Sequence, residues 1–161
     1  KDVVFLGYED SMLMPSLELR RDIAREIRRC RPDVLICNYP VRNLDGGWGV
    51  GHPDHLAAGE AALSAVFPTA RDHLTFPELL AEGLEPHKVA EVWLMGHPEP
   101  DLWIDVTDYL ELSIKALGKH ISQLERDEEE LDKIIRERRR ETATGHGMYY
   151  AEAFRRIRYS R

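Results

Sequence analysis

The chain has 161 residues, enough for one domain with a real core and too few to argue for two. Its 43% hydrophobic and 32% charged residues are those of a globular protein. With 29 acidic against 22 basic residues, the net charge of −7 argues against a general binder of phosphate backbones, although a local basic patch stays open.

No apolar run reaches the roughly 18 residues of a membrane span, and no basic segment with an apolar core opens the sequence. Residues 3–6 (VVFL) read as a buried strand with no cap or loop before it, the pattern of a domain whose earlier elements lie outside the sequence. "SLELRRDIAREIRRCRPD" follows. It places Leu17, Ile23, Ile27 and Cys30 on one helical stripe, with Ser16 as N-cap. "DVLIC" (33–37) is a second short apolar strand. Strand, helix, strand in that order is a βαβ unit, and a parallel sheet follows. Cys30 and Cys37 have no His or Cys at metal spacing; both read as core residues, reduced in a cytoplasmic setting.

Residues 38–51 (NYPVRNLDGGWGVG) form a loop by their Pro, Asn and Gly content, just past a strand end, where open α/β sheets build ligand sites. A helix is expected from about residue 54 to 66. Residues 89–95 (VAEVWLM) and 102–106 (LWIDV) read as strands. Asp108 is placed to cap one long helix with Leu112, Leu117, Ile121 and Leu124 inward and a charged second half, where "RERRR" after "ERDEEE" pairs at i,i+4 on a solvated face. Residues 148–159 (MYYAEAFRRIRY) read as a closing amphipathic helix.

The chemistry lies in His52-Pro53-Asp54-His55. Proline fixes its own φ and biases His52 towards an extended backbone, so the two imidazoles need not share a face. One can ligate a metal while the other points at substrate. Asp54 is near enough to orient an imidazole and raise its basicity. Gly46, Gly47, Gly49 and Gly51 let the backbone approach a ligand, while Gly59 and the alanines after it permit close packing on the sheet. The competing account is that Asp54 merely caps a helix and the histidines are polar loop residues. The strand-end position and the four glycines favour a site. Trp48 is equally a platform for a sugar ring or an anchor for its loop. By their surroundings in sequence, His120 is a packed or surface helix residue, His97 a loop residue, His73 and His87 are without visible partners, and His146 is in a loop between Gly145 and Gly147.

"GHPDHLAAG" resembles the second signature of the PIG-L/LmbE family of metal-dependent N-acetylglucosaminyl deacetylases, and "LGYEDSM" is similar to that family's tyrosine-x-aspartate-serine stretch. "RPDVLIC", "HKVAEVWLM", "WIDVT", "KALGKHISQ" and "MYYAEAFR" fall in the family's order, so the resemblance runs the whole chain. It implies a Rossmann-like α/β fold, a mostly parallel sheet flanked by helices in a single domain over 1–161, and a zinc hydrolase that removes acetyl groups from N-acetylglucosamine conjugates. By the same resemblance His55 is a metal ligand. His52 stabilises the oxyanion or protonates the leaving amine, Asp54 orients and charge-tunes His52, and Asp10 lies near the sugar hydroxyls. It also raises the prospect that His120 lines the substrate site or a subunit interface.

The family's first signature, Ala-His-Pro-Asp-Asp, has no match in residues 1–161. A catalytic zinc keeps three protein ligands plus water, and the chain offers one. It is therefore expected to be the C-terminal part of a deacetylase, lacking an N-terminal strand-helix-strand segment that supplies further ligands to one Zn2+ per site, and inactive by itself. The expected partners are a small N-acetylated amino-sugar conjugate and copies of the same chain, with neither nucleic acid nor a membrane span. The alternatives are an amidase of the same family that cleaves thiol conjugates, and a truncated, non-catalytic assembly module.

Overall fold

Ser16 starts the first helix, as its place in the sequence predicts. In the computed structural model, which describes residues 2–42, 44, 51–123 and 127–159 (of Gln123 the backbone alone), α1 spans Leu17–Cys30. The Ser16 hydroxyl accepts a hydrogen bond from Leu19 N–H at 3.2 Å, and Arg31 closes the helix in the left-handed region with φ of 49°. The inward face holds Leu19, Ala24, Ile27 and Arg28, with Ile23 packed beside them. Leu17 and Cys30, expected on that stripe, are exposed. The face is rotated because Arg28, which a polarity pattern turns outward, points in. Its guanidinium donates to the carbonyls of Thr69, Ala70, Asp72, Thr75 and Leu84. Of the two free cysteines only Cys37 is buried, and burial pushes its thiol up to about 11.

Two strands run parallel, but not the pair expected on either side of α1. β1 (Val34–Asn38) pairs with β2 (Glu91–Met95) in the register Val34↔Glu91 to Asn38↔Met95. Between them in sequence lies α2 (Pro53–Val66), whose buried residues are Ala57, Gly59, Ala61, Ala62, Ala65 and Val66. These small side chains bring the helix onto β1. A Cβ at position 59 would run into the backbone carbonyl of Asn38, so glycine sets how near the helix lies to the strand end. Ala62, Ala65 and Val66 of α2 join Ala24 and Ile27 of α1, Cys37 of β1, and Val92 and Leu94 of β2 in one core. The short helix α3 (Glu78–Ala81) adds Leu79 to it.

Residues 3–6 are not a strand. They are extended chain without a hydrogen-bonded neighbour among the described residues, and Val3 and Phe5 are 77% and 89% exposed. β-branched residues favour extended backbone, but a strand exists only where a ladder partner takes its N–H and C=O groups.

The chain divides into two units, Lys1–Glu99 with Arg155–Arg161, and Pro100–Phe154. In the second, the stretch expected as one long helix is two: α4 (Leu110–Leu117) and α5 (Glu128–Ala143). Gly118 ends α4, and Asp127 starts α5 by accepting from Glu130 N–H at 2.8 Å. Glycine is the residue least favoured inside a helix after proline. Asp127 followed by Glu128, Glu129 and Glu130 is a strong start signal, because carboxylates suit the positive end of a helix dipole. Asp108 caps nothing; it lies in the single turn Thr107–Tyr109. Leu112 and Ile121 are exposed, and the buried residue of α4 is Leu110. Leu124 lies outside the described residues. The i,i+4 pairing of the charged run is present in Arg136 with Asp132, at 2.7 Å.

Residues 148–159, expected as a helix, contain the strand β4 (Ala151–Arg158). It runs antiparallel to β3 (Leu102–Asp105) with Leu102 opposite Phe154 and Asp105 opposite Ala151. The two most buried positions of β4, Ala151 and Phe154, are three apart, which imitates a helical stripe; the ladder offered by β3 decides the matter. β4 contributes residues to both units, and the hydrogen-bonded strand order is β1-β2-β4-β3. The fold is α/β, a mixed open sheet flanked by helices.

Candidate active site

His52 is the N-cap of α2, with an extended backbone (φ −68°, ψ 132°) that the following Pro53 favours. Its side chain caps the helix: Nδ1 accepts from Asp54 N–H at 3.3 Å. A neutral imidazole that accepts at Nδ1 carries its proton on Nε2, so the ring presents a donor there. The Asp54 carboxylate does not make that bond. Its Oδ2 stands 3.9 Å from Nδ1, beyond hydrogen-bond reach, and acts on the ring through charge alone. Both carboxylate oxygens turn to the segment before α1: Oδ2 accepts from Ser11 N–H at 2.7 Å and Oδ1 from Leu13 N–H at 3.3 Å.

That segment carries Asp10. A turn closed by Met12 N–H on the Glu9 carbonyl places Ser11 at φ of 66°, a position glycine usually fills. The turn is tied on its other side by Tyr8, whose hydroxyl donates to Asp22 Oδ2 of α1 at 2.9 Å. Burial alone would raise the Asp22 carboxyl. Hydrogen bonds from Tyr8, Arg25 and Arg21 outweigh it and hold the group below its ordinary value. A carboxyl depressed by folding contributes stability that is complete above about pH 4 and is lost as pH falls through the folded value. The thermal midpoint of the wild type is therefore expected to fall more steeply on acidification below about pH 4 than that of Asp22→Asn. Equal slopes would show that the tether contributes nothing.

Asp10, His52 and Asp54, chosen from sequence, thus meet in space. One ligand atom from each lies within 4.8 Å of the others, a spacing a single cation can span. Imidazole and carboxylate are the donor types of zinc and of other divalent metals, and the set fits such an ion chemically. All three of its members are already engaged, Asp54 at both oxygens, His52 at Nδ1 and Asp10 at Oδ2. His55 sits at the same helix end with its ring centroid 5.6 Å from that of His52 and tilted by 47°. The two imidazoles thus form a tilted ring pair rather than standing apart, and His55 is exposed.

Trp48 and the glycines at 46, 47 and 49 lie outside the described residues. His120 belongs to the second unit, exposed in the turn after α4. His97 is a loop residue whose Nδ1 accepts from Glu99 N–H at 2.9 Å. His87, without visible partners in sequence, donates from Nε2 to the Pro32 carbonyl at 2.8 Å. His146 stacks on Trp103 with ring centroids 3.8 Å apart. Ser11 is the site residue that sequence reading passed over. Its hydroxyl donates to Asp10 Oδ2 at 3.3 Å and lies 3.5 Å from His52 Nε2.

The sequence and the fold have counterparts among known proteins. Residues 1–66 match the PIG-L family, described as GlcNAc-PI de-N-acetylase. The diacetylchitobiose deacetylase of Thermococcus kodakarensis is 30% identical over 131 residues, 81% of this chain and 47% of that protein. A probable N-acetyl-alpha-D-glucosaminyl L-malate deacetylase 2 of Bacillus cereus is 28% identical over 127 residues, 78% of this chain and 51% of that protein. The crystal structure of N,N'-diacetylchitobiose deacetylase from Pyrococcus horikoshii with its inhibitor MPG superposes with a TM-score of 0.84 at 28% identity, covering 98% of this chain and 58% of that one. The chain spans about half the length of the curated relatives it matches. In sequence and in fold it is a PIG-L/LmbE-like chain.

Proposed function

We propose that the chain is part of a zinc-dependent hydrolase that removes the acetyl group from an N-acetylglucosamine conjugate, a sugar-thiol precursor, a glycolipid or a chito-oligosaccharide. The observation that carries this reading is the donor at His52 Nε2. The N–H of Asp54 fills Nδ1, so the outward nitrogen bears a proton where an acyl-transfer site needs one. That N–H donates to the oxygen on which negative charge develops; to protonate the leaving amine the ring must first take up a second proton at Nδ1, giving up the bond from Asp54 N–H. The negative charge of Asp54, 3.9 Å away, favours the positive charge the ring gains on the way.

His55, whose ring takes no hydrogen bond among the described residues, is the metal ligand in this reading. Zinc, when bound, polarises the acetamide carbonyl and makes a nucleophile available near neutral pH. Asp10, exposed on its turn, accepts from sugar hydroxyls in this reading. The site acts in the cytoplasm, which the two free thiols support. Among the described residues no helix is long and apolar enough to cross a membrane.

The full-length protein, loaded with zinc, is expected to release acetate from at least one of a panel of N-acetylglucosamine conjugates and to lose this activity to a chelator. Cleavage of thiol-conjugate amides without acetate release would establish the amidase alternative instead. Self-association belongs to the same reading; exposed Leu112 and Ile121 of the second unit support it. Light scattering at micromolar concentration is expected to show a homo-oligomer, and a monomer there would remove it.

A further inference from the structure

We propose that Ser11 is a positioning residue, and that its hydroxyl fixes the direction in which His52 presents its Nε2 proton. The hydrogen bonds around it run one way. Asp54 N–H donates to His52 Nδ1 at 3.3 Å, which puts the ring proton on Nε2. Nε2 then faces Ser11 Oγ at 3.5 Å, the long limit of a hydrogen bond, and the serine hydroxyl donates onward to Asp10 Oδ2 at 3.3 Å. Each group has the donor or acceptor its neighbour requires. A positive N-terminal helix end lies at the start of this chain of bonds and a carboxylate at its end, so the dipoles align.

The backbone places the hydroxyl there at a cost. Ser11 holds φ of 66°, which glycine adopts freely and a residue with a Cβ does not, and it is held so by the 2.7 Å bond from its N–H to Asp54 Oδ2. Space does not explain the residue. Ser11 is exposed, and glycine would serve the turn better. What serine adds to this turn is the hydroxyl between His52 and Asp10. Beside the Asp54 N–H at Nδ1, Ser11 gives the half-exposed imidazole a second contact, at Nε2.

The test uses Ser11→Ala and Ser11→Gly together. Both remove the hydroxyl; glycine also relieves the positive φ and so separates the hydroxyl from the backbone. Two-bond nitrogen–proton correlation spectra of the metal-free chain, taken over a pH series to its alkaline plateau, read the state of the His52 ring directly. In the wild type they are expected to show one protonated and one bare nitrogen. In both variants the two nitrogen shifts are expected to move towards each other as the ring exchanges tautomers, while the thermal midpoint of Ser11→Gly stays level or rises. Unchanged ring shifts in both variants overturn the proposal. So does a change in only one of them, because the cause would then be the backbone or the Cβ. In turnover the proposal rests on the deacetylase reading: both variants of the full-length enzyme are expected to lose about tenfold in kcat, the size of one hydrogen bond. If the wild type releases no acetate, that reading fails while the ring spectra still decide the role of Ser11.

Discussion

Replacing Arg28 by alanine is expected to destabilise the first unit by about 3–5 kcal/mol, measured as a lower urea midpoint at unchanged slope. Arg28 is 2% exposed, and its five bonds go to backbone carbonyls rather than to a carboxylate. Burial pulls its guanidinium below the ordinary arginine value, and the charges of Asp72 and Glu85 oppose that. The carbonyls belong to the connection after α2 and to the turn after α3, so one side chain on α1 satisfies backbone that forms no ladder of its own. Truncation strands those acceptors and leaves a cavity. Arg28→Met keeps the apolar stem and should cost nearly as much, because the stranded carbonyls dominate. Arg28→Lys should fall between, since an ammonium cannot span a fork of five acceptors. A methionine variant as stable as the wild type would show that the cage does not contribute.

Much of the first unit was legible because its signals are local. Ser16 before a helix, Pro53 after an extended His52, and Gly59 among alanines each act within a few residues. The strand-loop-helix junction carrying His52, Asp54 and His55 therefore stands where the sequence places it. The misreadings share one cause, partners distant in sequence. Residues 3–6 have strand composition and no ladder, whereas residues 151–158 have a helix-like pattern and a ladder from β3. Arg28 faces inward because carbonyls 41 to 56 residues away need donors. The role of Ser11 was hidden for a similar reason, since nothing in "YEDSM" shows a serine at positive φ facing a histidine 41 residues on. The break between α4 and α5 is different. Gly118 and the Asp127 start signal were both visible, and the charged run obscured them.

His52→Ala in the full-length, zinc-loaded protein is expected to lower turnover by about 10²–10³-fold, the usual result of removing one donor from a developing oxyanion. Metal content should be unchanged, because in this reading His55 and not His52 is the metal ligand, and Asp54 N–H already occupies His52 Nδ1. Asp54→Ala should also cost rate much more than metal. It removes the charge beside His52 and frees Ser11 and Leu13, so the turn carrying Asp10 loses its anchor as well. The two residues act on the same step, and the double variant should be little worse than His52→Ala alone. The measurement is a double-mutant cycle on kcat with zinc quantified in each variant. Full additivity would mean that His52 and Asp54 do not act as one unit, and zinc loss as the main consequence of His52→Ala would mean that His52 is itself a metal ligand.

The central claim is that the α2 N-terminus serves metal-dependent deacetylation of an N-acetylglucosamine conjugate. Acetate released from a panel of N-acetylglucosamine conjugates by the full-length protein tests it most directly, assayed as prepared, after chelation and after zinc is restored. The account predicts release, its loss on chelation, and its return with zinc. Release that persists at full rate in the chelated, metal-free protein would contradict it.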